Sequence, residues 1–421
     1  MRSADLSRLD AARIAIRAAD LDRRRASGPA DVLERLGAVQ LDTIAVLARS
    51  HELVAYARAG AVPRDAVEHA YWGAGRAFEY WSHAACILPM TTYPLFAFRR
   101  RAFARRPERW GADPEVVARV HAELRDRGPS TATDLGGARS EPGWWRWSAA
   151  KDALEWMLAT GDVVVTERRA WRRVYDLAER AVPQQVNPSW VDVDGVLGPS
   201  DEDCVRELLV RSMRLLGVGT RDDLLDVHRL GGGGASTQHA GAGVVRAVLA
   251  DLIAEGRIAE VLVEGMPWLA DPDALRRIPR SPGSRTVALS PFDPLIWYRP
   301  RLERLFGVRM RIEAYTPRHL RTHGYFAMPV LHGDRIVGRI DPAREDGVLV
   351  ARQVTLHDSD GEQAIASALA EAATWVGCTR VRVEAAPSAA MARRITSAAQ
   401  SALADTVSAA AAPGSRRGRR P

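Results

Sequence analysis

The sequence predicts an α+β fold in which tandem winged helix-turn-helix domains precede a C-terminal, mostly β domain. The 421 residues exceed what one hydrophobic core usually organises. Residues 114–175 and 201–269 repeat one order of helices and strands, and after Thr286 apolar residues recur with a period of two. We expect five segments: an N-terminal helical, winged-helix-like domain (1–110), two winged helices (111–182 and 199–272), a β-rich domain with a hairpin (283–385) and a mobile tail (386–421).

The N-terminal domain is predicted to begin with two helices. Ser7 and Asp10 have the spacing of a capping box, which marks the start of the first helix. The second helix should end at Gly37, because glycine adopts the left-handed conformation that closes a helix. The next segment, Gln40-Leu41-Asp42, is predicted to be extended, and a further helix should reach Ala59.

Each copy of the repeat is predicted to fold as a winged helix-turn-helix. This architecture places its third helix in the DNA major groove and its two-stranded wing against the DNA backbone. In the first copy, we expect a short second helix at 130–135, a third helix at 149–160 and a charged wing tip at 167–169. The third helix of the second copy should span 244–255.

The C-terminal domain is predicted to be a sheet with one helix. Period-two alternation predicts strands at 311–315, 325–331, 335–340, 348–356 and 380–384, with a helix at 362–376. The Gly333-Asp334 pair is typical of a hairpin turn. Beyond Pro387 the chain is rich in Ala, Ser and Arg, so we expect a mobile tail, with a helix inside 390–405 as the alternative.

Charge, cysteines and missing motifs narrow the function. The net charge of +7 is compatible with a polyanionic partner. Three distant cysteines, no signal peptide and no apolar span predict a cytoplasmic protein without a membrane partner. The phosphate-loop, dinucleotide-binding, zinc-protease, serine-hydrolase and kinase motifs do not occur, which argues against nucleotide-driven chemistry.

Gln40 and Asp42 are the candidate catalytic residues. In an extended segment they leave the backbone on one face, with Cα atoms roughly 6.5–7 Å apart. A water held between them can lose a proton to the carboxylate while the amide fixes its orientation, as general-base hydrolysis requires. An ordinary polar strand face, or Asp42 as the N-cap of the next helix, is the alternative interpretation.

Arginine clusters are the candidate DNA contacts, because they can neutralise phosphate charge. They are Arg99, Arg100, Arg101, Arg105 and Arg106 before the first repeat, and Arg168, Arg169, Arg172 and Arg173 in its wing. Trp81, Ser82 and His83 are candidates to line a base-sized pocket, with packing as the alternative. No metal site is expected, because His319 and His323 lack further ligands of matching spacing.

Six separated motifs resemble one protein family. They are VQLDTI (39–44), ARSH (48–51), EYWSHA (79–84), LSPFDPLIW (289–297), RLFG (304–307) and GDRIVGRID (333–341). Together they closely resemble the winged-helix DNA glycosylases of the AlkZ/YcaQ type, over about residues 5–385. The resemblance implies a C-shaped molecule, and it places Gln40 and Asp42 on the family's catalytic motif of Gln, an apolar residue, then Asp or Gln. The Asp form is more similar to the YcaQ branch.

The resemblance also implies an activity. A monomeric, monofunctional glycosylase of the bacterial nucleoid would act on double-stranded DNA without a cofactor. It would hydrolyse the N-glycosidic bond of N7-alkylated guanine and related cationic N-alkylpurines with a water positioned by Asp42 and Gln40, and it would unhook interstrand crosslinks in the same way. The hairpin around Arg335 would reach the DNA beside the lesion. The rival hypothesis is a tandem winged-helix transcriptional regulator that binds duplex DNA without catalysis and for which Asp42 is dispensable.

Overall fold

A computed structural model describes residues 4–105, 112–136, 148–186, 199–231, 240–283, 285–358 and 361–411. These residues form three small sheets, one five-stranded sheet and the helices that connect their strands along the chain. These elements form two compact units. The first contains Met1–Asp20, Ala26–Leu41 and Arg64–Pro279, and the second contains Leu21–Arg25, Asp42–Pro63 and Arg280–Pro421. In the described residues, no helix is long and apolar enough to cross a membrane.

The described residues of the first half of the chain form seven strands and eight α-helices. In order they are β1 (Ala4–Leu6), α1 (Arg8–Ala18), α2 (Pro29–Leu36), β2 (Val39–Gln40), α3 (Ser50–Ala59), α4 (Arg64–Trp72), β3 (Ala77–Trp81), β4 (Ala85–Pro89), α5 (Ala97–Ala104), α6 (Pro114–Arg127), β5 (Ser130–Thr131), α7 (Ala149–Thr160), β6 (Val163–Arg169), β7 (Arg172–Leu177) and α8 (Ala178–Ala181). Short 3-10 helices occupy Gly73–Gly75 and Met90–Phe96.

The second half completes the first unit and supplies most of the second. Its elements are α9 (Asp201–Leu216), β8 (Val218–Gly219), α10 (Arg221–Asp226), α11 (Ala242–Ala254), β9 (Ala259–Val263), β10 (Met266–Ala270), α12 (Pro272–Leu275), β11 (Thr286–Ala288), α13 (Arg299–Phe306), β12 (Met328–His332), β13 (Arg335–Glu345), β14 (Val348–Leu356), α14 (Gly361–Trp375), β15 (Arg380–Val383) and α15 (Ala389–Ala411).

Local sequence signals explain the first helices. Ser7 and Asp10 form the predicted capping box, and Gly37 closes α2 with φ of 70°. The extended course predicted for Gln40 is also confirmed, because β2 pairs with β4 at Val39 opposite Ile87 and at Gln40 opposite Cys86.

The three small sheets of the first unit share one strand order. Their orders are β2-β4-β3, β5-β7-β6 and β8-β10-β9, so in each the first strand of the chain pairs with the last. β1 adds in parallel to the outer edge of β9, with Ala4 opposite Val261. The last two sheets belong to the repeat predicted from sequence, and each follows a long helix, α6 or α9.

The tip of the β6–β7 hairpin, which is the predicted wing of the first repeat, differs from the prediction. β6 continues through 167–169, and the turn lies at Ala170 and Trp171, whose φ angles are 48° and 68°. Positive φ at both central residues is the geometry that matches the twist of a two-residue hairpin. The short helix predicted at 130–135 is also wrong, because Ser130–Thr131 forms a strand that pairs with β7.

The second unit is built on the five-stranded sheet β11-β12-β13-β14-β15. β14 and β15 are parallel, and α14 makes the crossover between them. The apolar core of this unit includes Phe326, Leu349 and Ile365. The strand predicted at 311–315 is not formed, and that segment is a loop.

The mobile tail predicted from residue 386 is wrong over Ala389–Ala411, which forms α15. Ala392, Ile395, Ala399 and Leu403 recur every three or four residues and are buried in the core of the second unit. Alanine has the highest intrinsic helix propensity, and this apolar stripe gives the helix a face to bury. The remainder of the tail, 412–421, lies outside the described residues.

Candidate active site

Gln40 lies in the short strand β2. Its neighbour Leu41 continues the pairing, with the Leu41 amide donating to the Ala85 carbonyl at 2.8 Å. Val39 and Leu41 are buried as the predicted alternation requires, but Gln40 is also buried, with 9% of its surface exposed. The backbone of Gln40 is therefore fixed by a sheet.

Asp42 directly follows Leu41 and begins the segment Asp42–Pro63 of the second unit. Its Oδ1 accepts a hydrogen bond of 2.8 Å from the Ile44 amide. Burial raises the pKa of Asp42 above its ordinary value, and the hydrogen bonds from the Ile44 and Thr43 backbone oppose this shift only in part. The N-cap interpretation of Asp42 is wrong, because α3 begins at Ser50 with Arg49 as its N-cap.

The helix that follows the Asp42 segment is anchored by a buried ion pair. Arg58 on α3 donates to both carboxylate oxygens of Asp293, at 2.7 and 3.0 Å, and both side chains are fully buried. Asp293 also accepts from the Leu295 amide at 3.0 Å. The LSPFDPLIW motif thus holds the helix that begins a few residues after Asp42.

Ser82 and His83 do not line an open pocket, contrary to the prediction. Ser82 is fully buried and its Oγ lies 2.7 Å from Nδ1 of His228. His83 Nδ1 lies 3.0 Å from an Asp226 carboxylate oxygen. Burial lowers the pKa of His228 to about 3, so its imidazole is neutral. These residues pack the β3–β4 turn against the segment after α10, and the carbonyl of Trp81 accepts from Arg99.

Arg99 and Arg100 are also buried, so the prediction that they contact DNA is wrong. The Arg99 guanidinium donates to the carbonyls of Trp81 and His228, and burial lowers its pKa to about 10. Arg100 donates to the Tyr93 carbonyl, and its guanidinium carbon lies 3.9 Å from the centre of the Tyr93 ring. Their charges are used to satisfy backbone acceptors inside the first unit.

Two arginines of the predicted wing, Arg168 and Arg173, likewise bind carboxylates within the first unit and are not exposed. Arg168 donates to Glu79 at 2.6 and 2.7 Å, and Arg173 donates to Glu79 at 2.9 Å and to Glu155 at 2.8 and 3.0 Å. Trp72 Nε1 adds a bond of 3.0 Å to Glu79. Burial alone would raise the pKa of Glu79, but attraction by Arg173 and Arg168 lowers it overall, so this carboxylate is ionised.

The remaining predicted cations lie nearer to solvent. Arg101 is partly buried and pairs with Asp201 at 2.5 Å. The exposed ones are Arg105 at the end of α5, Arg169 and Arg172 on either side of the β6–β7 turn, and Arg335 at the start of β13. Arg169 pairs with Glu167 at 2.6 Å and Arg335 pairs with Asp358. Arg106 lies outside the described residues.

Sequence reasoning missed the acidic residues that organise these cations. Glu79 lies in the EYWSHA motif and Asp293 in the LSPFDPLIW motif. The sequence around such a carboxylate does not show which cation it binds. The available signal was chemical, because an Asp or Glu within an apolar segment must find a cation or several donors when it is buried. In the described residues, no group of three His, Cys, Asp or Glu side chains is placed to hold a metal ion.

Comparison with known proteins agrees with this architecture. Residues 33–375 match the family model of AlkZ-like DNA glycosylases. Among solved structures, the fold is similar to that of the DNA glycosylase AlkZ of Streptomyces sahachiroi, with 18% sequence identity, a TM-score of 0.59, and coverage of 90% of this chain and 100% of that one. Because the family model spans most of the chain, the protein belongs to the AlkZ-like DNA glycosylase family and is an enzyme of DNA repair.

Proposed function

We propose that this glycosylase is monofunctional and hydrolyses the N-glycosidic bond of N7-alkylated guanine and related cationic N-alkylpurines, including guanines joined in interstrand crosslinks. The observation that carries the proposal is the Gln40 and Asp42 pair. Gln40 is fixed in a strand, and two residues later Asp42 has a half-buried carboxylate with a raised pKa. A raised pKa makes the carboxylate a better proton acceptor.

The chemistry needs few groups from the protein. Alkylation at N7 gives guanine a positive charge, weakens its bond to the sugar and lets the base leave as a neutral molecule. The sugar then passes through an oxocarbenium-like cation, which a carboxylate stabilises electrostatically. In this proposal Asp42 stabilises the cation and takes the proton of the attacking water, while Gln40 orients that water. An Asp at position 42 also supports a place in the YcaQ branch.

The Asp42 carboxylate has acceptor capacity for this role. The backbone of Ile44 and Thr43 supplies two hydrogen bonds to this carboxylate, whereas an ionised carboxylate offers about four lone-pair sites. Lys151, the only lysine of the sequence, contacts Glu155 and Tyr175. That arrangement supports hydrolysis by water in place of an imine formed with a lysine.

We also infer that the three small sheets and their helices are winged helices. In each sheet the last two strands form a hairpin, and the strand order is the same. Arg105, Arg169, Arg172 and Arg335 are the exposed cations that we assign to DNA phosphates. Arg335 stands at the start of β13, directly after the hairpin turn that joins β12 to β13.

A single-lesion assay tests the catalytic assignment. The substrate is a duplex with one N7-methylguanine, and abasic sites are revealed by cleavage in alkali. We expect the wild type to form abasic sites without metal or nucleotide, and Asp42→Asn to lose about 10²–10⁴-fold in single-turnover rate while it binds the duplex normally. Gln40→Ala should lose less, because the carboxylate remains.

Asp65→Asn is the matched control, since Asp65 is an exposed aspartate on α4. Its rate should equal that of the wild type. A wild-type rate for Asp42→Asn would refute the catalytic role of Asp42. Binding without any abasic product from the wild type would refute the assigned substrate.

A further inference from the structure

A loop between α13 and β12 exposes two large apolar side chains. Tyr315 has 88% and Leu320 has 61% of its surface exposed, and among the described residues only Leu9 and Met266 are comparable. Exposed apolar groups of this size in one short loop are typical of an interaction site. We call residues 312–323 the 312–323 loop.

The 312–323 loop is held closed at its base by Glu313. Glu313 is 8% exposed, and its carboxylate accepts hydrogen bonds from the amides of Thr322, at 3.0 and 3.1 Å, and His323, at 2.8 Å. Burial would raise the pKa of Glu313, but these backbone donors lower it overall. Across the loop, Arg321 donates to the Thr316 carbonyl at 2.8 Å. The loop conformation is therefore fixed by ionic and backbone hydrogen bonds.

A second buried carboxylate fixes the exit of the loop. Asp341 accepts from the amides of Tyr325 at 3.0 Å and Phe326 at 2.8 Å. Gly324 has φ of 109°, and a Cβ added there would lie 2.2 Å from an Asp341 oxygen, so only glycine fits. The guanidinium of Arg321 packs 5.0 Å from the centre of the Tyr325 ring. Such preorganisation lowers the entropic cost of binding.

The charge of the exposed part favours an anionic partner. Residues 314–320 contain no Asp or Glu, and the one carboxylate of the loop, Glu313, is directed to backbone amides. Arg311, Arg318 and His319 are exposed beside the two apolar side chains. Cations around an exposed aromatic ring complement duplex DNA, which offers phosphates at its surface and base faces between them.

We propose that the 312–323 loop is a wedge that inserts into duplex DNA, with Tyr315 stacked on a base, Leu320 filling the opened step, and Arg318 on a phosphate. Apolar side chains that enter a base step unstack it and bend the duplex. The proposal rests on the DNA substrate of the proposed function and extends it, because a wedge could open the helix beside a base that stays tethered to the other strand.

The test uses a duplex that cannot be cleaved. N7-methylguanine on a 2′-fluorinated sugar resists hydrolysis, and 2-aminopurine as the neighbouring base gains fluorescence when it is unstacked. We expect the wild type to raise this fluorescence. Tyr315→Ala should abolish the rise and weaken binding about tenfold, since base–aromatic stacking has this magnitude. Tyr315→Phe should retain both, because it keeps the ring.

Leu9→Ala is the matched control, since Leu9 is an exposed apolar residue on α1. It should bind and unstack like the wild type, and thermal melts should show that all variants are folded. Arg318→Ala should reduce the salt dependence of binding by about one phosphate contact. Normal binding and unstacking by Tyr315→Ala would overturn the wedge, as would an equal loss in Leu9→Ala.

Failure of the proposed function gives a different pattern. If the wild type forms no abasic sites on the cleavable duplex but Tyr315 still controls unstacking, the wedge stands and the assigned activity fails. If the wild type cleaves and Tyr315→Ala is indistinguishable in unstacking and affinity, the activity stands and the wedge fails. A surface for another protein would leave every DNA measurement unchanged in Tyr315→Ala, which counts against the wedge.

Discussion

At the scale of single residues, burial decides what each charged side chain can do. Burial raises the pKa of Asp42 because the hydrogen bonds from the Ile44 and Thr43 backbone offset it only in part, whereas Glu79 is ionised because Arg173 and Arg168 surround it. One carboxylate is thus suited to accept a proton and the other to hold a cation. The neighbours of a buried carboxyl group therefore decide in which direction its pKa shifts.

The raised pKa of Asp42 predicts the pH dependence of the enzyme. Because the proposed base works as the carboxylate, activity should fall as the pH falls through the pKa of Asp42 in the free enzyme. That inflection should lie above the ordinary value of 3.8, at a higher pH than an unperturbed aspartate would give. Single-turnover kcat/KM, corrected for uncatalysed depurination, measures it.

Stability supplies the complementary check. A carboxyl group whose folded pKa is raised contributes stability at low pH, and this contribution is lost as the pH rises through that pKa. Asp42→Asn should therefore be relatively more stable, compared with the wild type, at neutral pH than at acidic pH. The same stability difference at both pH values would contradict the raised pKa.

The sequence predicts the extended course at Gln40 but not which of the arginines are buried. A motif is local, and the extended course of Gln40 follows from alternation that the strand pairing confirms. In contrast, Arg99, Arg100 and Arg101 are consecutive on α5, where successive side chains are about 100° apart. They cannot all share one face, and the sequence of the helix alone does not show which of them meets the core.

At the scale of elements, a buried ionic cluster holds the β6–β7 hairpin against strand β3. Arg168 on β6 and Arg173 on β7 both reach Glu79 on β3. The Arg168 guanidinium also packs 4.1 Å from the centre of the Trp171 ring in the hairpin turn. Glu79 therefore fixes the position of the hairpin whose tip carries the exposed Arg169 and Arg172.

Glu79→Gln should unfold the first unit more easily. The change removes the carboxylate that Arg168 binds and one of the two carboxylates that Arg173 binds. Breaking a buried pair costs about 3–5 kcal/mol. Urea denaturation measures the loss. Glu167→Gln is the control, because Glu167 forms an exposed pair with Arg169 that should contribute less than about 1 kcal/mol. Equal losses in the two variants would show that the buried cluster has no special role.

Elements were predictable where the signal was local. Capping at Ser7 and closure at Gly37 depend on residues within one turn, and both helices were located. The alternation at 311–315 was misleading because a strand also needs a partner, and Glu313 instead binds backbone amides ten residues later. Composition favoured a mobile tail over the alternative of a helix inside 390–405, but helix α15 forms because Ile395 and Leu403 have a core to pack against.

At the scale of the whole molecule, each unit is assembled from segments that are distant in sequence. In the second unit, Arg58 and Asp293 are 235 residues apart and fully buried together. Tyr56 stacks on Trp375 with ring centres 4.2 Å apart, and Trp375 donates to the Val62 carbonyl. These contacts join α3 to the C-terminal sheet domain, so the segment that begins with Asp42 folds as part of that domain.

Asp293→Asn should destabilise the second unit by about 3–5 kcal/mol, because the charge of Arg58 would remain buried without its partner. Chemical denaturation of the full chain measures this change. Asp358→Asn is the matched control, since Asp358 pairs with the half-exposed Arg335 and should change stability by less than about 1 kcal/mol. A loss in Asp293→Asn no larger than in the control would refute the anchoring role of the pair.

The parallel pairing of β1 with β9 has a consequence for biosynthesis. The partner of Ala4, Val261, is translated 257 residues later, as the numbering of the pair gives. At about 5–20 residues per second, the nascent strand waits roughly 10–50 s for its sheet. During that interval β1 has no β9 to pair with, and this edge of the sheet is completed only after Val261 and its neighbours have been made.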